Sequence, residues 1–352
     1  MSAPAPSMLT PAAKALAAKL DLKQGRANLE EFADTLQALA TADRSIVAVT
    51  SDSRGSGKLA PFGKALPRQI VEVGIAEQNL VGITAGLAAC GKKAFGVSPS
   101  CFLTARSLEQ IKNDVCYSNV PAVLVGISAG VSYGALGSTH HSLHDLAVMR
   151  AIHNITIIAP ADNFETREAV RYAGAATRPV FLRFGKAAML DLPGSAAPFE
   201  PGRARVVFPG EGNLVPTPAG AVASKLAPTH DVAFLASGET VVHAVLAAAA
   251  LAEQGVSARV LSFHTVKPLD VAAVLAAGRE CRAIVTVEEH MVAGGLGEAV
   301  ASTLLQAGLA PKFKMVGFPD EDTVTGAQAD LFRHYGISME SLRDTALALL
   351  AP

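Results

Sequence analysis

Short, wholly apolar runs recur along the chain, each closing on glycine, serine or an acidic residue and each separated from the next by a helix-length stretch. In the first half these are SIVAVTSD (45–52), KKAFGVS (92–98), PAVLVGIS (121–128), ITIIAPAD (155–162) and PVFLRFG (179–185). The second half repeats the arrangement with VAFLASG (232–238), SARVLSF (257–263), RAIVTVEE (282–289) and a shorter KMVGF (314–318). A strand that is apolar without alternation is buried on both faces, which is the habit of parallel sheets covered by helices. The pattern predicts an α/β fold with two parallel-sheet domains.

Residues 1–27 read as an N-terminal arm with a short helix, and residues 28–191 as the first domain. Residues 192–229 are rich in proline and glycine and weak in periodicity, which reads as a linker and irregular insert. The second domain follows over 230–352. Ligands of such sheets sit beyond the C-terminal ends of the strands, which puts Ser51, Asp52, Ser128 and Asp162 near candidate sites.

Composition narrows the function classes. A chain of 352 residues that is 50% hydrophobic buries a large core, and 30 basic against 31 acidic residues leave no broad field for nucleic acid or an anionic membrane. Cys90, Cys101, Cys116 and Cys281 include no C-x-x-C pair, which argues against structural zinc and a disulfide framework. The first twenty or so residues lack a continuous apolar core of the signal-peptide kind, and the alanine-rich runs are broken by Gly, Pro and charge. A cytoplasmic location is expected.

Two segments carry unusual chemistry. IVEVGIAEQNLVGITAGLA (70–88) sets one carboxylate, Glu77, in an apolar helix after a short strand. Proteins seldom bury a carboxylate without a specific partner, although a helix-start glutamate can also be satisfied by backbone N–H groups. GSTHHSLHD (137–145) gathers His140, His141, His144 and Asp145 at the start of an expected helix, where the histidines either cap the helix and meet solvent or, with His140 and His144 on one helical face, offer ligands to a metal. No G-x-G-x-x-G follows the first strand and no phosphate-loop motif occurs; SRGSGKL (53–59) is glycine-rich and offers Arg54 and Lys58 to an anion.

The G-I-A-E-Q run resembles the catalytic-glutamate motif of the transketolases, the 1-deoxyxylulose-5-phosphate synthases and the beta subunits of the 2-oxo acid dehydrogenases, which all use thiamine diphosphate. The resemblance implies that Glu77 is catalytic and holds N1′ of the cofactor's aminopyrimidine ring. It extends to SPSCFLTARSLEQIKNDV (98–115), where Phe102 would stack on that ring and Arg106 would support the helix or a subunit contact. G-S-T-H-H is similar to the transketolase G-x-x-T-H-Q stretch, so His140 would lie over the reacting carbon and bind substrate. In RPVFLRFGK (178–186), Arg183 matches a position that binds the distal phosphate of a sugar, a structural ion pair being the alternative, with Arg54, Lys58 and, more weakly, Lys186 as further anion contacts. LSFHTVKPLD (261–270) and VTVEEHMVAGGLGEAV (285–300) look like the C-terminal domain of the same families.

One departure stands out. Where sugar-phosphate transketolases carry an acidic residue three positions before the threonine, this chain has Leu136, which opens the site to a shifted, sulfonated or branched substrate. The resemblance covers only the last two of the three usual domains: the pyrimidine-binding domain and the transketolase C-terminal domain. No G-D-G motif is present, so the Mg²⁺ that bridges the diphosphate would find its ligands on a partner. The implied protein is the C-terminal subunit of a split transketolase, moving a two-carbon ketol unit from an anionic ketose to an aldehyde through a thiamine diphosphate adduct. Its implied partner is an N-terminal subunit, in an α₂β₂ assembly. A beta-type subunit of a 2-oxo acid decarboxylating or deoxyxylulose-phosphate-synthase-like enzyme, and a non-catalytic assembly subunit, are the alternatives.

Overall fold

A computed structural model describes residues 7–193, 198–209 and 229–352. The apolar runs of the first half form a seven-stranded sheet. Its order is Thr265–Lys267, Thr156–Ile158, Val180–Arg183, Val123–Ile127, Lys93–Pro99, Ile46–Thr50 and Ile70–Glu72. All neighbours are parallel except the first pair, where Thr265–Lys267 comes from the second domain and runs antiparallel to Thr156–Ile158. Ile46–Thr50 and Val123–Ile127 are buried at every position, as the lack of alternation requires.

The second sheet has the order Lys312–Phe318, Cys281–Met291, His230–Ala236, Ala258–Ser262 and Arg205–Phe208. Arg205–Phe208 pairs antiparallel with Ala258–Ser262 and lies inside the segment expected to be irregular linker. That segment is therefore not wholly irregular: Arg205 is buried and its Nη1 donates to Glu165 Oε1 of the first domain at 2.6 Å. Residues 194–197 and 210–228 of the expected linker lie outside the described residues.

The helix Val241–Ala252 has eleven of its twelve residues buried, and a helix apolar all round must be enclosed. Part of its cover comes from Ala13 and Ala17 of Pro11–Lys19, so the N-terminal segment is packed into the second domain's core. After it, Gln24–Ala27 pairs with Ala188–Leu190 in a two-stranded ribbon. Among the described residues no helix is long and apolar enough to cross a membrane.

The two sheets meet over a set of buried charges. Glu289 reaches from Cys281–Met291 to accept from Val131 N at 2.9 Å, beside Gly130, where a Cβ would lie 2.2 Å from the Glu289 carboxyl carbon. Gly185 leaves the same kind of space, 2.2 Å from Glu239. The Gln328 amide donates to both carboxylates, at 3.2 Å to Glu239 and 2.8 Å to Glu289. Burial and mutual repulsion push the Glu239 carboxyl up to about 8, and burial also raises Glu289 against the pull of Arg183.

These groups fix a sign for pH dependence. The folded state holds a proton on this pair that the unfolded chain, with ordinary carboxyls near 4.5, has released, so stability falls as pH rises through neutrality toward 8. Burial lowers the imidazoles of His243, His264 and His290, which gives the opposite slope below about 6.5, where unfolded histidines charge. Arg183 and Asp145 are the further charged groups that act on this pair. Glu239→Gln, neutral at every pH, is expected to flatten the decline of melting temperature between pH 7 and 8; an unchanged profile by scanning calorimetry would exclude the shared proton.

Candidate active site

Glu77 opens the helix Glu77–Ala89 after a turn through Gly74, whose φ of +73° suits glycine. The helix start favours a carboxylate electrostatically. The side chain is only 3% exposed, yet it lines an open depression of about 580 Å³ with Ile75, Ala76, Gln78, Asn79 and Arg106. Arg106 Nη1 donates to Glu77 Oε2 at 2.9 Å. The same guanidinium lies over the Phe102 ring, 4.4 Å from its centroid. Phe102 and Arg106 share the helix Ser100–Arg106, four residues apart and so on one face.

Phe102 continues the cluster on its other side. The His140 ring stands edge-on to Phe102 at 5.3 Å and to Tyr133 at 5.4 Å. Its Nδ1 is 2.9 Å from Thr139 Oγ1. Glu77, Phe102 and His140, three residues singled out in the sequence, are therefore linked side chain to side chain. His141 is different: it is buried, with Nε2 donating to the Gly134 carbonyl at 3.0 Å and Nδ1 2.7 Å from Thr323 Oγ1. Both nitrogens are spent on structure, and burial lowers its pKa. His144 Nε2 meets Thr104 Oγ1 at 3.2 Å, and the helix begins only at Asp145, so His140 and His144 do not share a helical face.

The anion contacts rearrange. Arg183, expected at a substrate's distal phosphate, is buried in the protein instead: Nε donates to Asp145 Oδ2 at 2.9 Å and Nη2 to the Glu289 carbonyl at 2.8 Å. Asp145 is fully buried and cannot be left without a cation, so the structure commits Arg183 to it. Burial would raise the Asp145 carboxyl, but Arg183 and His290 hold it below its usual range. Lys186 takes the exposed position, with Nζ 4.6 Å from the Tyr133 ring centroid. Partial desolvation and then the charge of Lys58 lower its pKa. Lys58 also pairs with Glu30 at 2.9 Å, and Arg54 with Glu72 at 3.3 Å.

Sequence reasoning gave Arg106 and Lys186 minor parts and did not assign Asp145 or Tyr133 any. The Phe102–Arg106 spacing was a usable signal; the Asp145–Arg183 pairing had none, because 38 residues separate the partners. Among the described residues no group of three or more His, Cys, Asp or Glu side chains could hold a metal ion. Leu136 ends the turn Gly134–Leu136 and is 55% exposed in the same loop as His140, an apolar group presented to solvent.

Residues 25–190 match the transketolase pyrimidine-binding domain and residues 221–342 the transketolase C-terminal domain. The chain is 44% identical over 319 residues to an apulose-4-phosphate transketolase subunit of Phocaeicola vulgatus, covering 90% of this chain and 96% of the relative. It is 34% identical to the 6-deoxy-6-sulfo-D-fructose transketolase subunit SqwH of a Clostridium species, covering 78% and 80% of the two. A solved split-gene transketolase, described as an inactive beta4 tetramer, superposes with a TM-score of 0.78 at 31% identity, over 93% of this chain and 98% of that one.

The two cations separate by stability. Arg183→Met strands the Asp145 charge in the interior and is expected to cost about 3–5 kcal/mol. Lys186→Met, at an exposed side chain, should stay within about 0.5 kcal/mol. Urea unfolding of both variants checks the contrast, and equal effects would contradict these assignments.

Proposed function

The chain belongs to the transketolase family, and from that membership we propose that it is the pyrimidine-side subunit of a split transketolase acting on an anionic ketose donor and an aldehyde acceptor. The observation that carries this reading is the near-complete burial of Glu77 at the edge of an open depression, joined through Arg106 to the aromatic face of Phe102 and, beyond it, to His140. The residues fit an aminopyrimidine ring, which needs a carboxylate at its edge and an aromatic plane at its face. When bound, thiamine diphosphate supplies the electron sink for breaking and making carbon–carbon bonds.

Glu77 would hold the ring at N1′ and share a proton there. Phe102 would orient the ring without competing for its hydrogen bonds. His140, edge-on between two aromatic side chains, would place its free Nε2 against substrate oxygens and move protons to and from them. Lys186 and Lys58 would draw a phosphate or sulfonate tail, the role that the resemblance implied for Arg183. Leu136 offers no acceptor to a sugar hydroxyl, which favours donors that place carbon there.

Mg²⁺ and the diphosphate would be held by an N-terminal partner subunit, a reading supported by the match of this chain to the pyrimidine-binding and C-terminal domains and by its likeness to a split-gene transketolase. Ile75, 72% exposed beside Glu77, supports a covering surface at that edge. An α₂β₂ assembly with sites at subunit contacts is the simplest arrangement.

Glu77→Gln keeps an acceptor for Arg106 but loses the proton. It should lower kcat of the assembled enzyme by at least about 100-fold while leaving its melting temperature near wild type. Full activity in that variant would remove Glu77 from the chemistry. Native mass spectrometry of the complex purified with Mg²⁺ and thiamine diphosphate tests the assembly: a stoichiometric partner supports the split enzyme, and turnover by this chain alone refutes it.

A further inference from the structure

We propose that Arg106 is a built-in stand-in for the cofactor's ring, occupying its two contacts in the cofactor-free protein and having to leave for the ring to bind. The inference rests on the proposed function of the Glu77 site and adds a residue that sets cofactor affinity there. The guanidinium is flat, donates to the Glu77 carboxylate at 2.9 Å, and lies with its central carbon 4.4 Å from the Phe102 ring centroid. A hydrogen bond to that carboxylate and a place over that ring are what an aminopyrimidine needs. One planar group fills the space above an aromatic face, so the two occupants exclude each other.

The asymmetry of burial says which partner moves. Glu77 is 3% exposed and fixed at the first residue of its helix, whereas the Arg106 side chain is 50% exposed and can rehydrate its charge outside the depression. Arg106 is also the last residue of Ser100–Arg106. Ser107 leaves the helix with φ −112° and ψ 23°, and the chain continues through the short helix Leu108–Gln110 into a π-helical stretch, Ile111–Tyr117. Irregular helical turns of this kind are frequent at functional sites.

In the cofactor-free state the pairing supplies a buried carboxylate with the cation it needs. The ring, able to share a proton with the carboxylate, replaces that cation on arrival. Apparent cofactor affinity is then lowered by the fraction of time Arg106 spends in place.

Isothermal titration of thiamine diphosphate with Mg²⁺ into the assembled complex tests this directly. Arg106→Met is expected to tighten the apparent Kd by about five- to thirty-fold, and Arg106→Lys, which keeps the charge without the flat fork, by less. In the cofactor-free complex, Arg106→Met and Glu77→Gln should each shift the melting temperature slightly downward, and the double variant should fall short of their sum. A weaker Kd in Arg106→Met would make the arginine a cofactor-holding residue and overturn the proposal. An unchanged Kd, with its melting shift confirming that the ion pair was lost, would overturn it as well. A wild-type complex that binds no thiamine diphosphate would refute the proposed function itself, a result separable from either.

Discussion

Everything at the site hangs from one buried carboxylate. Asp145 Oδ2 receives Ser100 Oγ at 2.6 Å, Ser142 Oγ at 3.0 Å and Arg183 Nε at 2.9 Å, while Oδ1 receives the Leu146 amide at 2.9 Å. Ser100 begins the helix that carries Phe102 and Arg106, and Ser142 closes the loop that carries His140. Arg183 ends a central strand and passes the constraint to the second domain through the Glu289 carbonyl. A charge so deeply enclosed is costly unless its lone pairs are fully used, and using them here requires the helix, the loop, the strand and the second domain to be in register at once. The ion pair is thus less a source of stability than a condition on geometry.

Among the described residues the second domain places no side chain in the Glu77 depression, yet it shapes the site from behind. Its strand Thr265–Lys267 extends the first sheet at one edge, and Glu239 and Glu289 fill the spaces left by Gly185 and Gly130. Any side chain at those glycines would collide with a carboxyl, so the first domain's loops are moulded to the second domain's acids. Thr323, on the second domain's loop, fixes His141 and through it the backbone next to His140. The division into two sheets is a division of topology, while the core and the polar network cross it.

What the chain's pattern reveals depends on the range of the interaction. Most strands of both sheets were legible because a strand buried on both faces is apolar throughout, and Glu77, Phe102 and His140 could be singled out as candidates because each sits in a contiguous motif. Arg205–Phe208 escaped because it is short, alternates buried and half-buried positions, and lies in a stretch rich in proline and glycine. Thr265–Lys267 escaped in a different way, since nothing local tells a strand that its partner is in the other domain. Arg183 was misplaced for the same reason. The resemblance assigned it to a phosphate, with a structural ion pair as the alternative, and only the fold supplies the carboxylate that claims it, since Asp145 reads locally as no more than part of a histidine-rich cluster.

The reassignment of Arg183 changes how the departure at Leu136 is understood. With Arg183 committed to Asp145 in the interior, the surroundings of His140 hold an exposed leucine, Tyr133 and the Lys186 ammonium over the tyrosine ring. A lysine there would accept a phosphate or sulfonate from a range of directions, where a buried arginine fork would fix one. On the proposed function, selectivity would come from Leu136, which offers a sugar hydroxyl no hydrogen-bond partner. On that reading, a point charge of long range beside an apolar wall of short range would suit donors of unusual carbon skeleton, because the skeleton would meet the wall and the anion the lysine independently.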